Sequence, residues 1–557
     1  MKIYFNIIFI LVVFITTISA QSMIPNDWYF GSPSDGFNGI SIHKAYSEFL
    51  KDKKTKPVVV AVIDSGIDLQ HEDLAENLWV NQGEIPNNGI DDDRNGYVDD
   101  VHGWNFIGNP NGQNVVHDSY EVTRVYAALK YKYDNAKPEK LNKKNKLEYD
   151  VYLKAKETVE SERNKAMQSL QQLDFVMDKV MASLDALAAH LGDQQLNTTT
   201  LATIEPKGDP QIIMAKNLVS EYLMMAEDIS LEDIKSTIAG EIEADRITFE
   251  VKLDYGYNID YDPRTTIVKD NYDDFNQRYY GNNDAEGPDP MHGTHVAGII
   301  GAVRNNGLGP DGIAPNVKLM SVRAVPDGDE RDKDVANAIR YAVDNGATVI
   351  NMSFGKGYGS NKKAVDEAVK YAAKKDVLLV HAAGNSSQNN DVIDSYPNAL
   401  MEKKTGFLCK KRKRVKNWIE VGAMSYKSGS DAVASFSNYG AIDVDLFAPG
   451  VRIYSSVPND EYQSLQGTSM ASPVVAGVAA TLRSVYPGLT AEQVKEAIVK
   501  SVTVITEDVK IPGSKIDMVS FSKLSSSSGL VNLEKALQYA STMKGKKKVK
   551  AVKEIKA

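Results

Sequence analysis

Cysteine is almost missing from this chain. Cys409 is the only one in 557 residues, so no intramolecular disulfide can form. Long apolar runs are missing too, apart from one at the amino terminus, which excludes a bundle of membrane spans. An excess of positive charge is also lacking. The 64 Lys and Arg are outnumbered by 74 Asp and Glu, and the formal net charge of −10 argues against a general nucleic-acid binder. Two local basic stretches, 410–416 and 544–550, read as solvated loop and tail. No repeat period is present. Without disulfides, stability has to come from core burial and from bound ions.

At the amino terminus, Lys2 precedes an apolar run over 3–18 that ends in Ser19-Ala20. A short basic region, an apolar region and a small residue at the exit describe a signal peptide cleaved after Ala20. A membrane anchor is the alternative, because the run is near the lower limit for spanning a bilayer. Cleavage implies an exported protein, secreted or periplasmic, with no membrane span in its mature form. Residues 21–57 then form a short N-terminal segment.

Residues 58–63 are a continuous β-branched run (Val-Val-Val-Ala-Val-Ile), the pattern of a strand buried on both faces. Similar runs recur at 318–322, 348–352 and 377–382. Helical periodicity fills 332–345 and 362–375 between them, and returns over 474–486 before Pro487-Gly488. This alternation predicts an α/β fold of three layers, a mostly parallel twisted sheet flanked by helices.

One region breaks the alternation. Over 117–275 the composition turns to Lys, Glu, Gln, Ala and Leu, and we expect a large helical insertion within a domain spanning 58–540. Leu170, Leu173, Val176, Met177, Val180, Met181 and Leu184 mark one amphipathic helix. Residues 192–208 read as a polar loop, with a second helix over 211–227. The insertion packs on its host domain or offers a docking surface to a partner. A basic tail closes the chain over 541–557.

Three short segments carry chemistry. Asp64 ends the first buried strand, in Val62-Ile63-Asp64-Ser65-Gly66. His292 opens His292-Gly293-Thr294-His295. Ser469 lies in Gly467-Thr468-Ser469-Met470-Ala471-Ser472-Pro473, a tight turn into a helix. A serine hydroxyl is too weak an acid to attack an amide unaided. An imidazole can take its proton near neutrality, and a buried carboxylate can hold that imidazole in the right tautomer. Asp, His, Ser is one of the chain orders in which this constellation occurs.

At these residues the chain resembles the subtilases, the subtilisin-like serine peptidases. The resemblance implies a serine endopeptidase hydrolysing proteins through an acyl-enzyme, with Asp64, His292 and Ser469 as triad. It makes His295 a packing residue. Ala382-Ala383-Gly384-Asn385 resembles the family's oxyanion segment, with Asn385 as side-chain donor beside the Ser469 amide. Ser353, Phe354 and Gly355 resemble the strand that binds substrate and walls the S1 pocket, 323–325 the opposing edge, and Ser395 the pocket floor. The implied partners are protein or peptide substrates. The 228 positions between Asp64 and His292 far exceed the family's usual spacing, so most of 105–285 is extra.

Calcium is expected at two places. Asp91, Asp93, Asn95 and Asp99 alternate around Gly96 with the spacing of a calcium loop, although His102 stands where an EF-hand needs glutamate. The resemblance implies a second ion held by Asp73 and by a loop containing Asn306.

Overall fold

The computed structural model describes residues 24–226, 229–402 and 413–546. The leader read over 1–20, Cys409, the start of the basic stretch 410–416 and most of the tail 541–557 lie outside the described residues. Among the described residues, no helix is long and apolar enough to cross a membrane.

The buried runs seen in the sequence become strands. These are β1 (Val58–Asp64), β2 (Gly103–Asn105), β3 (Val317–Arg323), β4 (Val349–Met352), β5 (Leu378–Ala382), β6 (Trp418–Met424) and β7 (Leu446–Pro449). β8 (Ile453–Val457) and β9 (Glu461–Leu465) form a hairpin. They are followed by β10 (Thr503–Val504), the pair β11 (Asp508–Lys510) and β12 (Met518–Ser520), and β13 (Gly529–Leu530). The main sheet has nine strands in the order β10-β13-β7-β6-β5-β4-β1-β3-β2, and only β10 runs antiparallel to its neighbour. From β1 the chain builds first towards β2 and β3, then reverses to add β4 to β7. Such a reversal opens a crevice at the carboxyl ends of the strands where side chains of distant segments meet.

Six helices cover this sheet: α1 (Met291–Gly301), α2 (Asp332–Asp344), α3 (Lys362–Lys374), α4 (Thr468–Val485), α5 (Ala491–Lys500) and α6 (Leu533–Ser541). On one face Ala61, Ile63, Met320, Val322, Ile350, Met352 and Leu379 pack with Val335 and Ile339 of α2 and Val365 and Val369 of α3. Those helical residues recur at four-residue steps, which puts them on one stripe. α1 and α4 lie on the opposite face. α4 is buried almost all round, and it starts six residues earlier than its periodicity indicates because Gly467 and Thr468 turn directly into it. Residues 26–50 also belong to this unit. Trp28, Tyr29 and Phe30 are buried, with the Trp28 indole donating to the Arg452 carbonyl (3.0 Å) and the Tyr29 hydroxyl to the Tyr454 carbonyl (3.1 Å).

Residues Val122–Tyr261 form a separate compact unit, narrower than the 117–275 suggested by composition. Its 49-residue helix Lys143–Leu191 presents Val180, Leu184, Leu187 and Leu191 to Ile212 and Val219 of helix Pro210–Met225 and to Ile234, Ile238 and Ile242 of helix Leu231–Val251. The last helix escaped the sequence reading, although Ser230 and Asp233 form a capping box just before its apolar stripe. The stretch 192–208 is not all loop. Helix Thr198–Thr203 lies within it, capped by Asn197, and Leu196, Leu201 and Ile204 join the apolar cluster.

The flanks of this excursion are anchored in the sheet unit by ion pairs to three buried cations. Arg331 pairs with Asp118 (2.7 Å) and Asp262 (2.9 Å), and Arg264 with Asp270 (2.7 Å) and Asp334 (2.7 Å). Lys333 reaches Asp270 at 2.6 Å. Segments near 118 and near 262–270 are thus both fixed at the start of α2, which is how a long excursion leaves the sheet undisturbed.

Candidate active site

Asp64 is the last residue of β1, so its carboxylate emerges at the carboxyl edge of the sheet, where it is only 2% exposed. Oδ1 accepts from the Ser65 amide (2.9 Å) and from His292 Nδ1 (2.6 Å). His292 lies in the first turn of α1, and that turn approaches β1 very closely. A Cβ on Gly293 would fall 2.0 Å from the Gly66 carbonyl and 3.2 Å from Asp64 Cβ, so only glycine lets the imidazole reach the acid. Thr294 adds a tie by accepting from the Asp68 amide at 2.8 Å. The His292 pKa is raised. Burial alone would lower it, but the charge and hydrogen bond of Asp64 outweigh burial. His295 is buried with Nε2 shared between the carbonyls of Ile453 and Gln463 (both 3.0 Å), and burial pushes it down to about 4. It is therefore a neutral packing residue.

Ser469 is the second residue of α4. Its hydroxyl donates to the Ser353 carbonyl (3.1 Å), while its own carbonyl accepts from Ser353 Oγ (2.8 Å). Pro473 makes the second bond possible. It has no N–H to give the Ser469 carbonyl four residues back, so that oxygen is open to Ser353. Ser353 Oγ is oriented in turn by Asn351 Nδ2 (2.9 Å), and Ser472 Oγ donates to Asn351 Oδ1 (2.8 Å). Sequence reasoning named Ser353 for substrate contact and missed this supporting chain. The one local signal was the proline just before the helical pattern.

Asn385 follows β5. Its Oδ1 accepts from both the amide (2.8 Å) and the hydroxyl (2.9 Å) of Thr468, which fixes the amide plane and leaves Nδ2 pointing outward. A Cβ on Gly467 would lie 3.4 Å from Asn385 Nδ2 and 3.5 Å from the Ser469 amide nitrogen. Two N–H donors therefore border one small space beside the Ser469 side chain. Thr468 was overlooked as a positioning residue.

The opposing edge differs from expectation at its start. The amides of Ala324 and Val325 both donate to the Asp64 carbonyl (3.0 and 3.2 Å), and the Arg323 guanidinium is buried on the Ser65 carbonyl (2.9 Å). Ser353, Phe354, Gly355 and Ser395 do gather in one place, because Lys356 and Tyr396 exchange backbone hydrogen bonds (2.8 and 2.9 Å).

The acidic loop also departs from the alternate-residue reading. Asp91 caps its own turn through the amides of Asn95 (3.0 Å) and Gly96 (2.8 Å), and Asp99 accepts from Asn88 (3.2 Å) and Gly89 (2.8 Å). Asn95 Nδ2 donates to Asp100 (3.1 Å). The carboxylates that converge, within 4.8 Å of one another, are Glu84, Asp93 and Asp100. Asp93 alone belongs to the expected set, since Glu84 arrives from outside the loop and Asp100 is out of phase. Burial pushes Asp100 up to about 6. At the other expected site, Asp73 Oδ1 accepts from Asn306 (2.7 Å), while Oδ2 is buried with no hydrogen-bond partner among the described residues.

A model of the subtilase family matches residues 55–521. The chain belongs to the subtilase family. This subtilase is 42% identical over 201 residues to a thermophilic serine proteinase of Bacillus sp. (strain AK1), covering 35% of the present chain and 44% of that relative. It is 38% identical over 214 residues to subtilisin DY of Bacillus licheniformis (38% and 70%) and 36% identical over 250 residues to thermitase of Thermoactinomyces vulgaris (44% and 75%). The present chain thus spans less than half the length of the first relative.

Proposed function

We propose that this subtilase is an exported serine endopeptidase that hydrolyses peptide bonds in proteins through an acyl-enzyme intermediate. The observation that carries this reading is the 2.6 Å Asp64–His292 pair at the same sheet edge as Ser469 and two N–H donors that border one space. Ser469 Oγ turns from the Ser353 carbonyl to His292 Nε2, gives up its proton there and attacks the substrate carbonyl carbon. The oxygen that becomes negative is held by Asn385 Nδ2 and the Ser469 amide, donors that act most strongly once the charge has formed. His292, now charged and steadied by Asp64, returns the proton to the leaving amine as the C–N bond breaks. Water then repeats the sequence on the ester and frees Ser469.

A fluorophosphonate probe tests this reading directly. Protein recovered from outside the cytoplasm should carry one label on Ser469, with the mass of a chain starting at Gln21, and Ser469→Ala should carry none. An unlabelled wild type would sink the reading.

We also propose that calcium supports the fold at two places. Asp73 would be joined by Asn306 at one, and Glu84, Asp93 and Asp100 would supply hard oxygen ligands at the other. The unpartnered buried oxygen of Asp73 and the three convergent carboxylates fit a divalent cation. Bound calcium would neutralise these acids and hold their loops. An ion present at 100 times its dissociation constant adds about 2.7 kcal/mol, roughly 3 °C in a unit of this size, so a chelator that strips both ions should lower the melting temperature by roughly 5–7 °C. Identical melting with calcium and with chelator would refute the proposal.

A further inference from the structure

β4 and β5 are adjacent and parallel, and beyond their carboxyl ends the segments 353–355 and 383–385 flank a slot beside Ser469. The far end of this slot is marked by Gly355. The position of a Cβ on Gly355 is 3.4 Å from the Tyr396 carbonyl oxygen, 3.6 Å from Ser395 Oγ and 3.8 Å from His381 Cε1. An imidazole thus stands behind Gly355, next to the expected floor residue.

His381 is wholly buried, and its ring is wedged edge-on against Phe354 (6.2 Å between centroids) and tilted over Trp418 (5.0 Å). Register places it directly beside Glu420 on β6. Glu420 Oε1 meets His381 Nδ1 at 2.9 Å, and Oε2 accepts from the Trp418 indole at 2.6 Å. With Nδ1 donating to Glu420 Oε1, the Nδ1–H tautomer of the ring carries its lone pair on Nε2. That Nε2 is buried and has no hydrogen-bond partner among the described residues. A buried acceptor without a donor is unfavourable in the free protein, and a ligand that brings the donor relieves it. Nothing in the triad or the oxyanion space uses this ring.

We propose that His381, held by Glu420, is a specificity-determining residue of the S1 pocket, and that its Nε2 accepts a hydrogen bond from a substrate side chain ending in a neutral donor. A tyrosine hydroxyl is the reference case, with the glutamine amide next. Ser395 Oγ, close to the same point, supplies a second polar contact, so the pocket selects side chains that are polar at the tip and apolar along the stem between the two slot walls. This inference rests on the peptidase reading and adds the substrate class to it.

Peptides identical except at the residue before the scissile bond provide the test. The wild-type enzyme should cleave after tyrosine about tenfold better than after phenylalanine in kcat/KM, and after glutamine better than after glutamate. His381→Leu should bring the tyrosine-to-phenylalanine ratio to about one. Glu420→Gln, which removes the charge holding the proton on Nδ1, should also lower that ratio. These ratios report on the pocket tip, and a purely structural role for the pair would leave them unchanged. Equal cleavage after tyrosine and phenylalanine by the wild type, or a preference for glutamate, would overturn the proposal without need of any variant. A small fluorophosphonate lacking a side chain for this pocket, applied to the same samples, separates the two failures. Labelled Ser469 with a flat profile overturns the pocket assignment alone, whereas unlabelled Ser469 overturns the peptidase reading on which it stands.

Discussion

Asp64→Asn should lower kcat/KM by about 10⁴-fold while leaving the fold intact, since an amide of the same shape presents the wrong partner to His292 Nδ1 and favours the wrong tautomer. The pH profile should change as well. His292 acts as a base only when neutral, so wild-type activity rises with pH as the imidazole loses its proton. Because Asp64 outweighs burial and holds the His292 pKa above its ordinary 6.5, that rise should be centred above 6.5. In Asp64→Asn burial is opposed only by the smaller charge effect of Asp289, and the inflection of the residual activity should move below the wild-type value. For stability the same shift has the opposite sense. A raised folded-state pKa favours the folded protein below pH 6.5, and this contribution fades as pH climbs through the folded value. With the His292 side chain 39% exposed, solvent screens much of that effect, so activity is the better readout. Profiles of kcat/KM for both proteins check the prediction, and an unchanged inflection would refute the role given to Asp64.

Asn385→Ala should lower kcat by about 10²–10³ with little change in KM, the general cost of removing one preorganised donor from a developing oxyanion. The ground-state carbonyl gains little from Nδ2, so a loss confined to kcat is the mark of transition-state stabilisation. Gly467→Ala should act in the same direction by another route, because the added methyl would occupy the space bordered by Asn385 Nδ2 and the Ser469 amide. A rise in KM with normal kcat in Asn385→Ala would instead make Asn385 a substrate-binding group. Steady-state kinetics on one peptide decide between these outcomes.

Four strands of the sheet were readable because burial on both faces concentrates apolar residues in a short run. Val58–Asp64 is continuous and mostly β-branched up to its acid, while Val317–Arg323 and Leu378–Ala382 stay mostly apolar despite Lys318, Ser321 and His381. The remaining strands, β2, β6, β7, β10 and β13, were not read from the sequence. Helices α2 and α3 were readable from a single apolar stripe. The start of α4 was not, because Gly467 and the buried Thr468 belong to a turn whose geometry serves Asn385 rather than to a periodic pattern. The helical unit was recognised by composition, yet its third helix was missed where a capping box stood in for a strong apolar start.

Among the site residues, those defined by local chemistry stood out. An acid at a strand end, a histidine beside a glycine and a serine at a turn each announce themselves within a few positions. Roles that depend on a neighbour far along the chain did not. The tie between Ser353 and Ser469 spans 116 positions and was missed, and Asp73 and Asn306, 233 apart, were paired only through the family resemblance.

By itself the sequence determined the α/β layering and four of the buried strands, and it singled out the acid, imidazole and hydroxyl proposed as the reactive groups, because periodicity and turn residues act over short stretches. The tertiary structure alone decided which carboxylates converge, Glu84, Asp93 and Asp100 rather than the alternating set, and which imidazole stands at the end of the slot. Both outcomes depend on sheet register and loop path. A one-residue change of register would move His381 away from Glu420 and turn it to the other face of the sheet, and no local pattern records that alignment.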